Sequence, residues 1–428
     1  MEPGSKGNGE ASRTSADAVW AAIEYDPRVA WRDCGQDRYL YRPGQLLVDA
    51  AYADRLAPFL REAGARPARL GCTEGKLLAR LGLRRYQVVR PGREAPEVVA
   101  SLRARLGDLD SEEQARAVGL NHVLAGAPFY KFGPADLPSD AGPAPVQPDP
   151  ARKGGSGAGV RVAILDTGFV RSSLHHPLLA HDYQDDGDDG DHLYDEAHRE
   201  ILSVDGGHGT FVAGIVREQA PETILNPEVT LDDLLLTDDV EVAQDLLQLG
   251  STDIVNLSLA GPSEGQSPPM ALAKALRYLG TNSNAVFVAA AGNDYELAAE
   301  AGMPFQKMWP AAFGAMKGYE HVVGVAAVDR ERNPAGFSNR GPWVRACSYG
   351  VDLRSTYVAG DMASPAGLLQ FPNATATWSG TSFSTPRVAG IIAAAMTAST
   401  PPLSPRDALA QVLANAPLGP PDLGQFIG

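Results

Sequence analysis

The chain has 428 residues, 44% apolar and 21% charged, with a formal net charge of −15. This composition supports a buried core, and the length fits a main domain with an accessory one. The acid excess argues against nucleic acid as the main partner, because phosphate binding needs a basic face. Cys34, Cys72 and Cys347 are odd in number, far apart and without metal-ligand spacing, which argues against a disulfide framework.

In chain order, residues 1–38 are polar and Gly/Ser-rich at their start, and are expected to be disordered. They contain no apolar stretch of signal-peptide length. No run of about 18 apolar residues occurs anywhere, so no membrane span is predicted and the cytoplasm is the expected location. A patterned unit occupies 39–131. The segment 45–49 (QLLVD) reads as a strand, and 50–64 as a helix with Leu56, Leu60 and Ala63 on one side. A strand over 83–90, a helix over 95–108 and a strand over 120–126 follow. The order is strand, helix, strand, strand, helix, strand, a small α+β sandwich of ferredoxin-like type. Pro, Gly, Ser and Asp dominate 132–158, the composition of an exposed linker. From 159 to 428, short apolar runs (VRVAILD, DIVNLSL, AVFVAAAG, HVVGVAAV) alternate with helical segments. Such runs suit a doubly wound, mostly parallel α/β sheet buried on both faces by helices.

Three segments of this larger unit carry chemistry. VAILDTGF ends an apolar run on Asp166, GGHGTFVAG sets His208 among glycines before a helix, and SGTSFSTPRVAG sets Ser382 at another helix start. Strand ends and helix starts collect on one edge of an open α/β sheet, so the three can converge. A serine hydroxyl needs a base to become a nucleophile, histidine supplies one near neutral pH, and a carboxylate fixes the imidazole tautomer. The oxyanion that forms needs donors, which Asn293 in VAAAGND and the backbone N–H of Ser382 offer.

LDTG, GHGTFVAG and GTSFSTP, in the order Asp, His, Ser, resemble the signature blocks of the subtilisin-like serine proteases. AAAGN is similar to that family's oxyanion block, IVNLSLAGP to its substrate-pairing strand and FSNRGP to a further family segment. The resemblance implies a subtilisin-like fold and a serine endopeptidase. Asp166, His208 and Ser382 would be its triad, and Asn293 with Ser382 its oxyanion hole. Ser258, Leu259, Ala260, Ala291 and Gly292 would bind substrate. No cofactor is required. An inactive scaffold of the same fold, binding peptides or regulating a partner, is the alternative.

The sequence also departs from the family pattern. Phe211 stands where many relatives carry a second His, and Phe383 where Met usually follows the nucleophile, which removes an oxidisable thioether. Ala260 replaces a Gly in the specificity-pocket wall, and its methyl would narrow access for large aromatic side chains. Residues 218–250 hold nine Asp or Glu and no Lys or Arg, consistent with either solvated faces or a cleft that attracts basic peptides. In the acidic stretch 181–196, Asp185, Asp189, Asp191 and Glu196 fall partly on calcium-loop spacing, leaving calcium as an alternative to an ordinary loop.

Family members often carry a small N-terminal propeptide that assists folding and blocks the cleft, and residues 39–130 are similar in length, element order and position. Between Arg61 and Arg105 there are eleven Lys or Arg against four Asp or Glu, so this module is expected to dock on the acidic catalytic unit as an intramolecular inhibitor and chaperone. Autoprocessing is expected within 127–157.

Overall fold

The computed structural model describes residues 26–35, 37–126, 137–152, 154–169, 176–183, 192–194, 200–202, 206–232, 234–364 and 367–428. The first unit contains β1 (Ala30–Asp33), β2 (Arg38–Asp49), α1 (Ala50–Glu62), β3 (Ala65–Pro67), α2 (Cys72–Arg80), β4 (Leu83–Val88), α3 (Ala95–Ala104), α4 (Ser111–Ala117) and β5 (Val118–Ala125). Asp49 caps α1 by accepting from the Ala51 N–H, and Asp110 with Glu113 forms a reciprocal capping box on α4. The strands run in the spatial order β5-β2-β4-β3, all antiparallel, with β1 on the outer part of β2. This is the ferredoxin-like arrangement expected, with two extra helices, α2 between the second and third of its four strands and α4 just before the fourth. Its start precedes position 39, because β1 pairs with β2 and Val29 is buried.

The second unit begins with β6 (Ser139–Asp140), β7 (Arg161–Asp166), β8 (His192–Tyr194), β9 (Glu200–Leu202), α5 (His208–Gln219), β10 (Ile224–Val229), β11 (Leu236–Asp238), α6 (Asp239–Gln248) and β12 (Ile254–Leu257). It continues with α7 (Met270–Asn282), β13 (Val286–Ala290), α8 (Tyr295–Glu300), β14 (Val322–Val328), β15 (Ala346–Tyr349), β16 (Leu353–Thr356), β17 (Gly360–Ser364), β18 (Gly367–Phe371), β19 (Thr375–Trp378), α9 (Thr381–Thr397), α10 (Pro405–Asn415) and β20 (Gln425–Phe426). Seven strands form one parallel sheet in the order β10-β7-β12-β13-β14-β15-β20. Alternate residues of each central strand enter different cores. Ala163, Leu165, Val255, Phe287 and Ala289 face Val242, Leu246, Leu272 and Leu276 of α6 and α7. Val162, Ile164, Val286 and Val288 face Phe211, Val212 and Val216 of α5 and Val388 and Ile392 of α9. Burial on both faces is why these strands read as unbroken apolar runs.

Many residues of the Pro/Gly-rich segment are exposed where it is described, but it is not a free tether. β6 pairs with β19, Val146 is buried, and Asp149 donates its N–H to the Glu218 carbonyl at 2.8 Å. Low local periodicity hid this, because the segment is held by the surface beneath it and not by its own pattern.

Arg217 is fully buried at the end of α5. Its Nη2 donates to the carbonyls of His181 (2.6 Å) and Asp182 (3.0 Å), and Nη1 to that of Pro221 (3.0 Å). One cation thus gathers two loops. Arg217→Met would leave the His181 and Pro221 carbonyl oxygens without this donor, while Asp182 keeps the Leu225 N–H, and a stability loss of about 3 kcal/mol is expected. Urea unfolding measures it, as a lower midpoint at unchanged slope. A shift worth less than about 0.5 kcal/mol would mean that water replaces the guanidinium without cost.

Candidate active site

Asp166 ends β7 at the carboxyl edge of the sheet and is completely buried. Its Oδ1 accepts the Thr167 N–H at 2.8 Å and lies 2.7 Å from His208 Nδ1. A carboxylate oxygen only accepts, so Nδ1 carries the proton and Nε2 keeps its lone pair. The two motifs interlock through backbone. Gly209 donates its N–H to Thr167 Oγ1 at 3.0 Å, and a Cβ on Gly209 would overlap the Gly168 carbonyl. Gly209 is therefore required by close chain approach and Gly168 by its left-handed φ of 84°, which is the physical content of that part of the two motifs.

Ser382 is the second residue of α9, where a backbone N–H has no acceptor within the helix. Its Oγ donates to the Ser258 carbonyl at 3.5 Å, and Ser258 Oγ donates to the Ser382 carbonyl at 2.7 Å. Asn256 steadies that hydroxyl, its Nδ2 donating to Ser258 Oγ at 2.9 Å. On the other side, Asn293 Oδ1 accepts both the N–H and the hydroxyl of Thr381, each at 2.9 Å. With its oxygen held twice, the amide presents Nδ2 to a further acceptor. Thr381 Oγ1 also accepts the Gly292 N–H at 3.1 Å. Sequence alone left Thr381 and Asn256 without roles, although both lie inside the quoted motifs.

The predicted substrate residues line the same edge. Ala291 gives its carbonyl to Asn339 Nδ2 at 3.1 Å, and Asn339 Oδ1 accepts the Asp294 N–H at 3.1 Å. The FSNRGP segment thus braces the loop that carries Gly292 and Asn293. Leu259 is buried in the core beneath, and Ala260 is 7% exposed. Ala260 already has a partner. It exchanges two hydrogen bonds with Ala125, at 2.9 and 2.8 Å, and Gly126 donates to the Leu235 carbonyl at 2.9 Å. β11 pairs with β5 in register Leu236↔Ala125 to Asp238↔Val123. The end of β5 is the middle strand between β11 and the Ala260 segment.

Most of the acidic residues in 218–250 have structural partners. Asp239 accepts the N–H groups of Ala271 and Leu272 at the start of α7, and Asp245 accepts the Thr230 hydroxyl. Burial pushes both carboxyls up to about 7. Asp238 pairs with Arg42 at 2.8 Å and Asp232 with Arg28 at 3.2 Å. Within the 61–105 basic stretch, among the described residues, only Arg103, paired with Glu264 at 2.8 Å, and Arg80, bonded to the Tyr278 hydroxyl, make polar side-chain contacts with the second unit. The docking charges therefore come largely from Arg28 and Arg42, outside the stretch that composition singled out. An apolar cluster joining Leu47, Leu77, Leu78 and Leu83 to Val240, Ala243, Met270 and Ala275 completes the contact. The calcium candidates Asp185, Asp189, Asp191 and Glu196 lie outside the described residues. Among the described residues, no helix is long and apolar enough to cross a membrane.

A family model described as "Subtilase family" matches residues 157–426. Subtilisin DY from Bacillus licheniformis is 29% identical over 257 residues, covering 56% of this chain and 78% of that protein. The intracellular serine protease of Paenibacillus polymyxa is 30% identical over 257 residues, covering 55% of this chain and 66% of its own length. Among solved structures, fervidolysin from Fervidobacterium pennivorans aligns over 90% of this chain and 60% of its own, with a TM-score of 0.56 and 18% identity, a likeness of fold.

Proposed function

Since the chain belongs to the subtilase family, we propose that it is a serine endopeptidase working through Asp166, His208 and Ser382. The buried 2.7 Å contact between Asp166 and His208 Nδ1 is the observation that carries this reading, because it leaves Nε2 as the base. Ser382 Oγ attacks the scissile carbonyl as His208 takes its proton. Asn293 Nδ2 and the Ser382 N–H receive the oxyanion. The protonated His208 then gives its proton to the leaving amine, and water repeats the cycle on the acyl-enzyme. Side chains and backbone supply every group, and no cofactor enters.

Labelling by a fluorophosphonate tests the reading against an inactive peptide-binding scaffold. Wild type should be labelled at Ser382, and Ser382→Ala not at all. An unlabelled, folded wild type would favour the scaffold.

The N-terminal unit acts as a tethered inhibitor in this proposal, since the end of β5 takes the place beside Ala260 that a substrate strand would take. Autoprocessing would cut within 127–157, in the part between the end of β5 and the start of β6. After 137 the chain is tied to the catalytic unit through β6 and Asp149. Intact masses of wild type and Ser382→Ala check this. Release would uncover Asp232 and Asp238, and we propose that the freed cleft favours basic peptides. A peptide library indifferent to Lys and Arg would remove that preference.

Docking is expected to weaken in acid. His122 of β5 is buried at the interface, where its Nε2 accepts the Glu264 N–H at 3.1 Å. Burial holds its imidazole down at about 3, with the neighbouring Arg103, itself paired with Glu264, adding to the effect, and Tyr39 packs on the ring at 5.9 Å. An undocked histidine titrates near 6.5, so protons bind the released form. Docking is fully present above about 6.5 and falls up to tenfold per pH unit below it, down to about 3. His122→Gln should flatten this dependence. Inhibition that does not change between pH 7 and 5 would contradict the assignment.

A further inference from the structure

The ring of His208 lies 5.2 Å from that of Phe383 and 5.4 Å from that of Trp378, centroid to centroid, with the indole nearly perpendicular at 86°. Phe211 sits three positions along α5, on the same helix face as His208. It packs 4.6 Å from Phe383 and 5.7 Å from Trp378, which are 5.0 Å from each other. All three side chains are fully buried. They come from α5, the end of β19 and the start of α9, so three separate elements meet behind one imidazole.

Tyr357 extends this wall. Its ring lies 6.2 Å from Trp378 and 4.4 Å from Phe371, and its hydroxyl donates to the Gly206 carbonyl. Gly207, in the left-handed region at φ 79°, would place a Cβ 2.8 Å from the Tyr357 ring. The backbone entering His208 is pressed against the same aromatic surface as its side chain.

Two separate departures from the subtilase pattern, Phe211 for His and Phe383 for Met, are therefore one contact. A second imidazole at 211 would set polar ring nitrogens against Phe383 and Trp378 in a dry pocket, where no partner would offset their desolvation. A Met at 383 would offer a flexible chain in place of a flat rigid face.

We propose that Phe211, Phe383 and Trp378 are positioning residues that hold the His208 ring at one tilt, a role that rests on the triad reading. Asp166 grips the imidazole at Nδ1, at one end of the ring, and Phe383 and Trp378 pack against the ring itself. A packed aromatic wall limits rotation about the hydrogen bond to Asp166, so the direction of Nε2 is kept while the proton moves.

The test uses the full chain carrying Phe211→His, Phe383→Met or both. Each single variant should lower kcat by about ten- to a hundredfold, the scale of a misaligned general base, with KM within about twofold of wild type. The double variant removes two of the three aromatic faces and should fall at least as far as the worse single variant. Fluorophosphonate labelling should slow in proportion to kcat. In a His208→Ala background the same substitutions should leave the residual rate unchanged, because no ring remains to be held. The proposal is overturned if the double variant recovers wild-type kcat, if KM carries the losses, or if they persist without His208. Should Phe211→His fail to fold, Phe383→Leu with a wild-type melting temperature decides by the same kcat and His208→Ala comparisons. Full activity in His208→Ala itself would sink the triad reading instead, so the two failures are distinct.

Discussion

Asp166→Asn is expected to lower kcat by about 10⁴-fold, an order known for the aspartate of serine-protease triads, subtilisin included, and not computed from this site. Asp166 is fully buried, and its Oδ1 serves both the Thr167 N–H and His208 Nδ1. An asparagine oxygen can still accept those two bonds, so the geometry of the pair should survive. The negative charge that stabilises the imidazolium would be gone. That charge acts in a dry site at 2.7 Å, where little solvent screens it. The loss should therefore appear in kcat with KM and melting temperature nearly unchanged. Rates on a chromogenic peptide, taken with a thermal melt, measure it. A loss under tenfold would remove Asp166 from the mechanism.

The second large effect runs the other way, since Ala125→Pro should activate the uncut chain. Ala125 donates its N–H to the Ala260 carbonyl at 2.9 Å and accepts the Ala260 N–H at 2.8 Å. Proline has no donor and its ring does not fit a middle strand. A lost buried hydrogen bond with its acceptor left unsatisfied weakens docking by about 1–3 kcal/mol. This corresponds to roughly ten- to a hundredfold in the docking equilibrium. Within its own sheet, β5 pairs with β2 only through Val118–His122, so the N-terminal unit should still fold. Peptide hydrolysis by full-length variant and wild type, with intact mass checked in both, should differ by tenfold or more. Equal rates would show that the strand beside Ala260 does not inhibit.

Much of the candidate site was legible because its motifs encode backbone demands. Gly209 permits the approach to Gly168, and the sequence GTS sets Thr381 and Ser382 at a helix start next to Asn293. The strands were legible because burial on both faces leaves only apolar residues, as in Arg161–Asp166 and Val286–Ala290. The packing of 137–158 was not, since proline- and glycine-rich chain shows no period even where a partner surface orders it. Charge counting misled for a related reason. It sums residues over a segment, whereas docking uses the few, here Arg28, Arg42 and Arg103, whose side chains meet carboxylates.

The sequence by itself determined the sheet, the strand-then-helix order and the positions of Asp166, His208, Ser382 and Asn293, because each is set by a few neighbouring residues. Only the tertiary structure decided what surrounds them. Phe211 and Phe383 are 172 positions apart, yet they pack at 4.6 Å beside His208. Ala125 and Ala260 exchange hydrogen bonds across 135 positions. Local periodicity reports which face of an element is buried, but not which distant element covers it. That choice belongs to the packing of the whole chain.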